Sequence, residues 1–256
     1  MGTARGAVVV AERVLLELVR ARRSLVFWAA FPAAMLLLFG LIYAGNGRTG
    51  PAFDSVAPGI LIGAALFFSC LAGPVSLVVG ERERGTLRRL LLAPLPPTAY
   101  VLGVVAAFAA VAAGQTVLVY GLALPFGGRY HGSWWLGPLI VTLTVTAYSG
   151  LGIALGARLA RRAEDVTGPV AAFGVPLLVL GGTFFPPRML PPWLYRVAWL
   201  DPIFHMNEAL RAVSARGAGL AEVAPHVAFL AALAGAAAAV GAAAYGRMLE
   251  AELGRG

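Results

Sequence analysis

The chain has 256 residues, 59% of them hydrophobic and only 12% charged, with a mean hydropathy of +0.81. A soluble domain carries roughly twice that charged fraction, so a soluble fold is excluded. Every basic side chain behind the formal charge of +8 is an arginine. Without lysine the chain can form neither a Walker A phosphate loop nor a lysine Schiff base.

Apolar runs of about twenty residues recur along the chain, the length that crosses roughly 30 Å of hydrocarbon. They do not alternate with period two, so the expected fold is an all-α polytopic membrane protein and not a β-barrel. Residues 1–24 read as an amphipathic interfacial segment. A helix over 6–23 sets Val8, Leu15, Leu16 and Val19 on an apolar side, with Glu12, Arg13, Arg20 and Arg23 elsewhere. Residues 25–256 then form the transmembrane domain, with about six spans.

The first span is expected at about 25–44, kinkable at Pro32, and a polar turn over 45–51 ends it. The second covers about 58–80 and bends at Gly73-Pro74. The charged burst Glu81-Arg82-Glu83-Arg84 closes it, and Pro94, Pro96 and Pro97 stop the short helix that follows. A third span covers about 99–124 and a fourth about 134–157, with Trp134 and Trp135 as interfacial anchors. A fifth covers about 166–184 and an alanine-rich sixth about 223–245. Between those two, paired prolines, aromatics and short apolar pieces read as a re-entrant hairpin dipping into the outer leaflet.

Arginines set the orientation. They crowd the N-terminal segment, the loop after the second span and the loop holding Arg158, Arg161 and Arg162, while the alternate turns hold only Arg48 and Arg129. Both termini are therefore expected in the cytoplasm of a multi-pass plasma-membrane protein. The first apolar run is long enough to span and follows an arginine-bearing segment, so no removable signal is expected. Cys70, the only cysteine, lies in an apolar run and reads as a packing residue.

The charged burst is cheap only in water, where a soluble partner can grip it. Arg88 and Arg89 with Leu87, Leu90 and Leu91 give the next helix one basic and one apolar face, and Gly85 supplies a bend. Polar residues within the spans are few. Gln115, Thr116, Thr142, Thr146 and Ser149 are the candidates for a translocation path, with Thr142, Thr146 and Ser149 on one face by helical spacing. No acidic residue is expected at mid-membrane, which favours coupling to ATP on a partner over coupling to an ion.

Two segments carry a family resemblance. Glu81-Arg82-Glu83-Arg84-Gly85-Thr86-Leu87-Arg88-Arg89-Leu90, running on to Pro94-Leu95, resembles the cytoplasmic signature of type-2 ABC exporter permeases. Gly182-Thr183-Phe184-Phe185-Pro186, with Leu190-Pro191, Trp193-Leu194 and Leu200-Asp201-Pro202, resembles their second signature. Asp201 stands where the family often has Asn, and the Pro186-Pro187 pair is less common there.

The resemblance implies a permease that dimerises with a second copy or a close relative and works with two copies of a separate ATPase subunit. That subunit holds the ATP and Mg²⁺; the chain itself needs no cofactor or metal, has no catalytic residue, and meets lipid but no nucleic acid. It also implies that residues 81–90 dock on the ATPase and that the hairpin from Phe184 to Pro202 forms an outer gate. An amphipathic or hydrophobic cargo, a drug-like metabolite or a lipid, suits an apolar path; a lipid-linked glycan is the second cargo class. An intramembrane enzyme is disfavoured, because His131, His205 and His226 lack the spacing of a metal motif.

Overall fold

The computed structural model describes residues 2–45, 47–84, 95–158 and 164–253. Among these residues every regular element is helical. Hydrocarbon favours that outcome, because a helix satisfies its backbone within one segment.

α1 (Thr3–Arg20) and α2 (Arg22–Tyr43) meet at Ala21, whose N–H still bonds to the Glu17 carbonyl. α1 turns Gly6, Val10 and Val14 inward, spaced one helical turn apart. Gly6 faces Leu95 and Ala99, and Val10 fits over Gly103. Of the expected apolar stripe, Val8, Leu16 and Val19 stay exposed, and Leu15 packs partly against the core. The bundle takes the small-residue side, which allows close approach, and the larger side chains stay on the outward side, where an interfacial helix meets acyl chains.

The second span starts at Thr49, not at about 58, because Pro51 falls in the first helical turn, where its missing N–H costs nothing. α3 (Thr49–Gly59), a π-helical stretch (Ile60–Leu71) and α4 (Ala72–Glu83) form one helix of 35 residues, about 52 Å long. Pro58 and Pro74 flank the π-helical stretch, each lacking a donor N–H, so the ladder can change register between them. Where a bend is expected at Gly73-Pro74, the backbone has just returned to α geometry. This helix is the centre of the bundle; Phe53, Ile60, Leu61, Ile62 and Leu66 are sealed from solvent.

α5 (Pro97–Ala123), α6 (Leu136–Arg158), α7 (Glu164–Leu180), α8 (Pro192–Ala198), α9 (Pro202–Arg216) and α10 (Leu220–Leu253) complete the chain. α6 lies between the central helix and α10. Gly152 sits on the Leu71 carbonyl, where any side chain would collide. The Gly152/Gly156 pair is thus a packing seam.

Among the described residues, five helices are long and apolar enough to cross a membrane: Arg22–Tyr43, Thr49–Glu83, Pro97–Phe126, Leu136–Arg158 and Leu220–Ala251. The expected fifth span, about 166–184, falls on α7, of which 17 residues are described, directly after residues 159–163. They run about 25 Å, at the lower limit for a crossing. Its stop is chemical. Gly182 takes φ +75°, its N–H bonds to the Val179 carbonyl, and the Thr183 N–H bonds to the Leu178 carbonyl. That is a Schellman closure, and it needs glycine at the left-handed position.

Candidate functional site

The charged end of the central helix is cross-braced. Glu81 is 1% exposed, which corrects the reading that the whole burst stands in water. Its carboxylate pairs with the Arg13 guanidinium of α1 and accepts a hydrogen bond from the Tyr100 hydroxyl of α5 at 2.9 Å. Tyr100 in turn stacks on Tyr245 of α10, ring centroids 3.8 Å apart. One carboxylate therefore ties four helices, and burial is tolerable because it is both paired and hydrogen-bonded. Burial alone would lower the Arg13 pKa, but the facing carboxylate outweighs it and holds Arg13 above its usual value.

The rest of the burst is less enclosed. Arg82 donates to the Ala157 carbonyl at 2.8 Å, at the C-terminal end of α6, where the helix dipole favours a cation. Arg84 lies 4.0 Å from Glu17 and is exposed, as is Glu83. Gly85, Thr86, Leu87, Arg88 and Leu90 fall outside the described residues. Close to the brace, Gly246 of α10 approaches Pro97. α1 and the C-terminal part of α10 thus share this end of the bundle.

At the opposite end, α9 holds the turn that follows α7. Arg211, 6% exposed, donates to the Gly182 carbonyl at 2.7 Å and the Ser55 carbonyl at 3.3 Å, and pairs with Glu208 at 2.6 Å. Asn207 donates to the Gly181 carbonyl at 2.8 Å. Phe184 stacks on Phe39, and its carbonyl accepts from the Tyr43 hydroxyl. Phe185 and Pro186 are half-buried, Leu190 likewise, while Pro191 and Trp193 are exposed. Asp201 caps α9 by accepting from the Ile203 N–H at 2.9 Å, with Pro202 at the first helical position. Burial pushes the Asp201 carboxyl up to about 6, the Ile203 N–H pulling the other way.

The candidate path residues do not form one surface. Ser149 is sealed and donates to the Cys70 carbonyl, while Thr142 is exposed. Thr142 and Thr146 bond their own helix, to the Pro138 and Thr142 carbonyls. Gln115 is buried between Ser69 and the Trp28 carbonyl, where it ties α5 to the central helix and α2. Only Thr116 and Thr142 come together, on opposite walls of a cavity of about 700 Å³ between α5 and α6.

Sequence reasoning missed Arg13, Tyr100, Tyr245, Asn207 and Arg211 as site residues. No spacing links Arg13 to Glu81 before the fold is known. The capping role of Asp201 was available, because Asp-Pro before an apolar run marks a helix start.

The sequence profile described as ABC-2 type transporter matches residues 6–214. The chain belongs to this family. It is accordingly a multi-pass membrane protein of transport machinery, and both signature segments lie within the matched range. Among its relatives is an Escherichia coli K12 protein named "Probable multidrug ABC transporter permease YbhR", 27% identical over 56% of this chain and 39% of its own length. "Inner membrane transport permease YadH" of the same strain is 26% identical over 61% of this chain and 60% of its own. "Inner membrane transport permease YhhJ" is 27% identical over 75% and 51%. The chain spans about two fifths to three fifths of the curated relatives it matches.

Proposed function

We propose that the chain is the membrane-spanning subunit of an ATP-driven exporter for amphipathic or hydrophobic molecules. Two copies of a separate ATPase subunit, carrying ATP and Mg²⁺, act on residues 81–90, and a second permease copy completes the path. The observation that carries this reading is the Glu81 brace: the helix end that enters the signature loop is bound to α1, α5 and α10. A displacement applied just beyond Arg84 is thereby delivered to several helices as bodies. The family assignment and the multidrug name carried by YbhR support the cargo class.

In this reading both termini are cytoplasmic, the segment between α7 and α10, from Phe184 to Pro202, forms the re-entrant outer gate, and the protein lies in the inner membrane, as the printed names of YadH and YhhJ say of those proteins. With five other crossings and both termini on one side, α7 makes the sixth, running from the Arg158 end of the bundle to the Gly182 turn beside Ser55. Arg211 and Asn207 lock the gate turn at rest.

The test is coupled turnover. The chain is co-purified with its associated ATPase, reconstituted, and assayed for cargo-stimulated ATP hydrolysis. Replacing Glu83 or Gly85 is expected to abolish stimulation and export while leaving insertion and the Glu81 brace intact. Normal export with both replaced overturns the docking role, and nucleotide turnover by the purified chain alone overturns the division of labour.

A further inference from the structure

We propose that the groove between α5 and α6 binds one membrane phospholipid, with an acyl chain along the groove and the phosphate on the Arg129 guanidinium. The cavity holds about 700 Å³, and Ala109, Ala113, Val117, Gly121 and Val141 are among its walls. From Leu124 to Ala109 it follows α5 for about 22 Å, deeper than the roughly 15 Å of one leaflet's hydrocarbon. An acyl chain can lie along it in full.

The chemistry of the walls selects the chain. The Thr116 and Thr142 hydroxyls each donate to their own helix, at 2.8 Å to the Ala112 and Pro138 carbonyls, so their protons are unavailable to a ligand. Tyr120 also lines the groove, but its hydroxyl is buried away from the open space, so the walls offer a sugar or polar metabolite little to bond. An added Cβ at Gly121 would meet nothing within 4 Å, so the groove is open one helical turn in from its mouth.

The chemistry of the mouth selects the headgroup. Trp134, 86% exposed, stands at the mouth beside Tyr130 and Arg129, and such aromatics settle at headgroup depth. Asp54 is occupied: one oxygen accepts from the Arg129 backbone N–H at 2.5 Å and the other meets His131 at 3.0 Å. The Arg129 guanidinium itself has no acceptor among the described residues. A free, planar cation at headgroup depth above an apolar slot fits a phosphodiester. The site requires only that these helices stand in a bilayer, and it holds whether or not the export reading does.

The experiment uses the full chain in nanodiscs of phosphatidylcholine doped with phosphatidylglycerol that carries a diazirine on one acyl chain. After irradiation, adducts are mapped by mass spectrometry, and a diazirine diacylglycerol serves as the headgroup-free probe. Adducts are expected to concentrate on Val117 and Val141. Gly121→Phe, which fills the open slot, is expected to remove them for both probes. Arg129→Gln keeps the backbone bond to Asp54 and is expected to lower the ratio of phosphatidylglycerol to diacylglycerol adducts about tenfold, because every phosphodiester lipid, matrix included, loses one charge-assisted contact that diacylglycerol never had.

Adducts spread evenly over the exposed faces of α2 and α10 overturn the proposal. So do cross-links joining the groove to a second copy of the chain, or competition by inorganic phosphate as effective as that by phosphatidylglycerol. Should Gly121→Phe fail to fold, Arg129→Gln decides alone, and unchanged selectivity between the two probes refutes the assignment.

Discussion

The two ends of the bundle are fastened by different chemistry. At one end a single buried carboxylate, Glu81, meets a guanidinium, a phenol and, through that phenol, a stacked ring, all contributed by side chains of other helices. At the other end Arg211 and Asn207 of α9 grip backbone carbonyls of the 181–182 turn and of α3. A side-chain brace is rigid but depends on every partner. Backbone carbonyls are always present, so the second fastening can re-form on whatever residue stands there. The difference suits the roles proposed above, one end receiving force and the other opening.

The contrast breaks first at Glu81. Glu81→Ala leaves the buried Tyr100 hydroxyl without its acceptor and the part-buried Arg13 with Glu17 alone, at 3.8 Å, and is expected to cost about 3 kcal/mol or somewhat more. The expected sign is release of α1, read as faster proteolysis at residues 3–20 and a lowered Tm in detergent. A Tm within a degree or so of the parent means that the pair adds nothing to the fold. Glu81→Gln keeps the hydrogen bond from Tyr100 and is expected to fall between the two.

Arg211 comes next. Arg211→Met preserves the stem and removes the donors, leaving the Gly182 carbonyl unmet and Glu208 without its pair. The expected cost is about 2–3 kcal/mol, since unmet buried acceptors lose about 1–3 kcal/mol each and some regain water. The loss is expected to be local: faster hydrogen exchange at 181–186 with the Glu81 end unaffected. Equal loosening at both ends contradicts the division between them.

How far the sequence exposed these two ends follows from the same chemistry. Helical class and most crossings were legible because hydrocarbon imposes length and apolarity on each segment separately. Arg82, Glu83 and Arg84 read correctly as lying at the helix edge, but Glu81 did not, since its burial depends on Arg13 arriving from 68 residues away. The start of the second span was misplaced because a proline in a first turn looks the same in sequence as a proline in a loop. The side of α1 that packs on the bundle was not legible at all: hydropathy marks Val8, Leu16 and Val19, whereas the contact face is built on Gly6, which no hydropathy pattern marks. Ser149 and Thr142 share a helical face in spacing yet differ in burial, because neighbours cover only part of that face.

The smallest expected effect is at Asp201. One of its oxygens caps α9, and the other has no partner among the described residues. The cap is worth keeping, but the charge is not. With the folded carboxyl at about 6 against an ordinary value of 3.8, the folded state holds a proton that the unfolded state has released between those values. Stability must therefore decline as pH rises from about 4 to about 6 and level off above, since ionising a buried carboxylate disfavours the fold. Asp201→Asn keeps an oxygen for the Ile203 N–H and removes the charge, so it is expected to stabilise by about 1–3 kcal/mol at neutral pH and to flatten that slope. Asp201→Ala removes the charge and the cap together, and is expected to lie below the Asn variant by about 1 kcal/mol. Thermal unfolding of the three forms at pH 4.5 and 7.5 checks both. A parent that gains stability from 4.5 to 7.5 reverses the sign and places Asp201 in a charge-stabilising site, making the Arg211 end as dependent on paired charge as the Glu81 end.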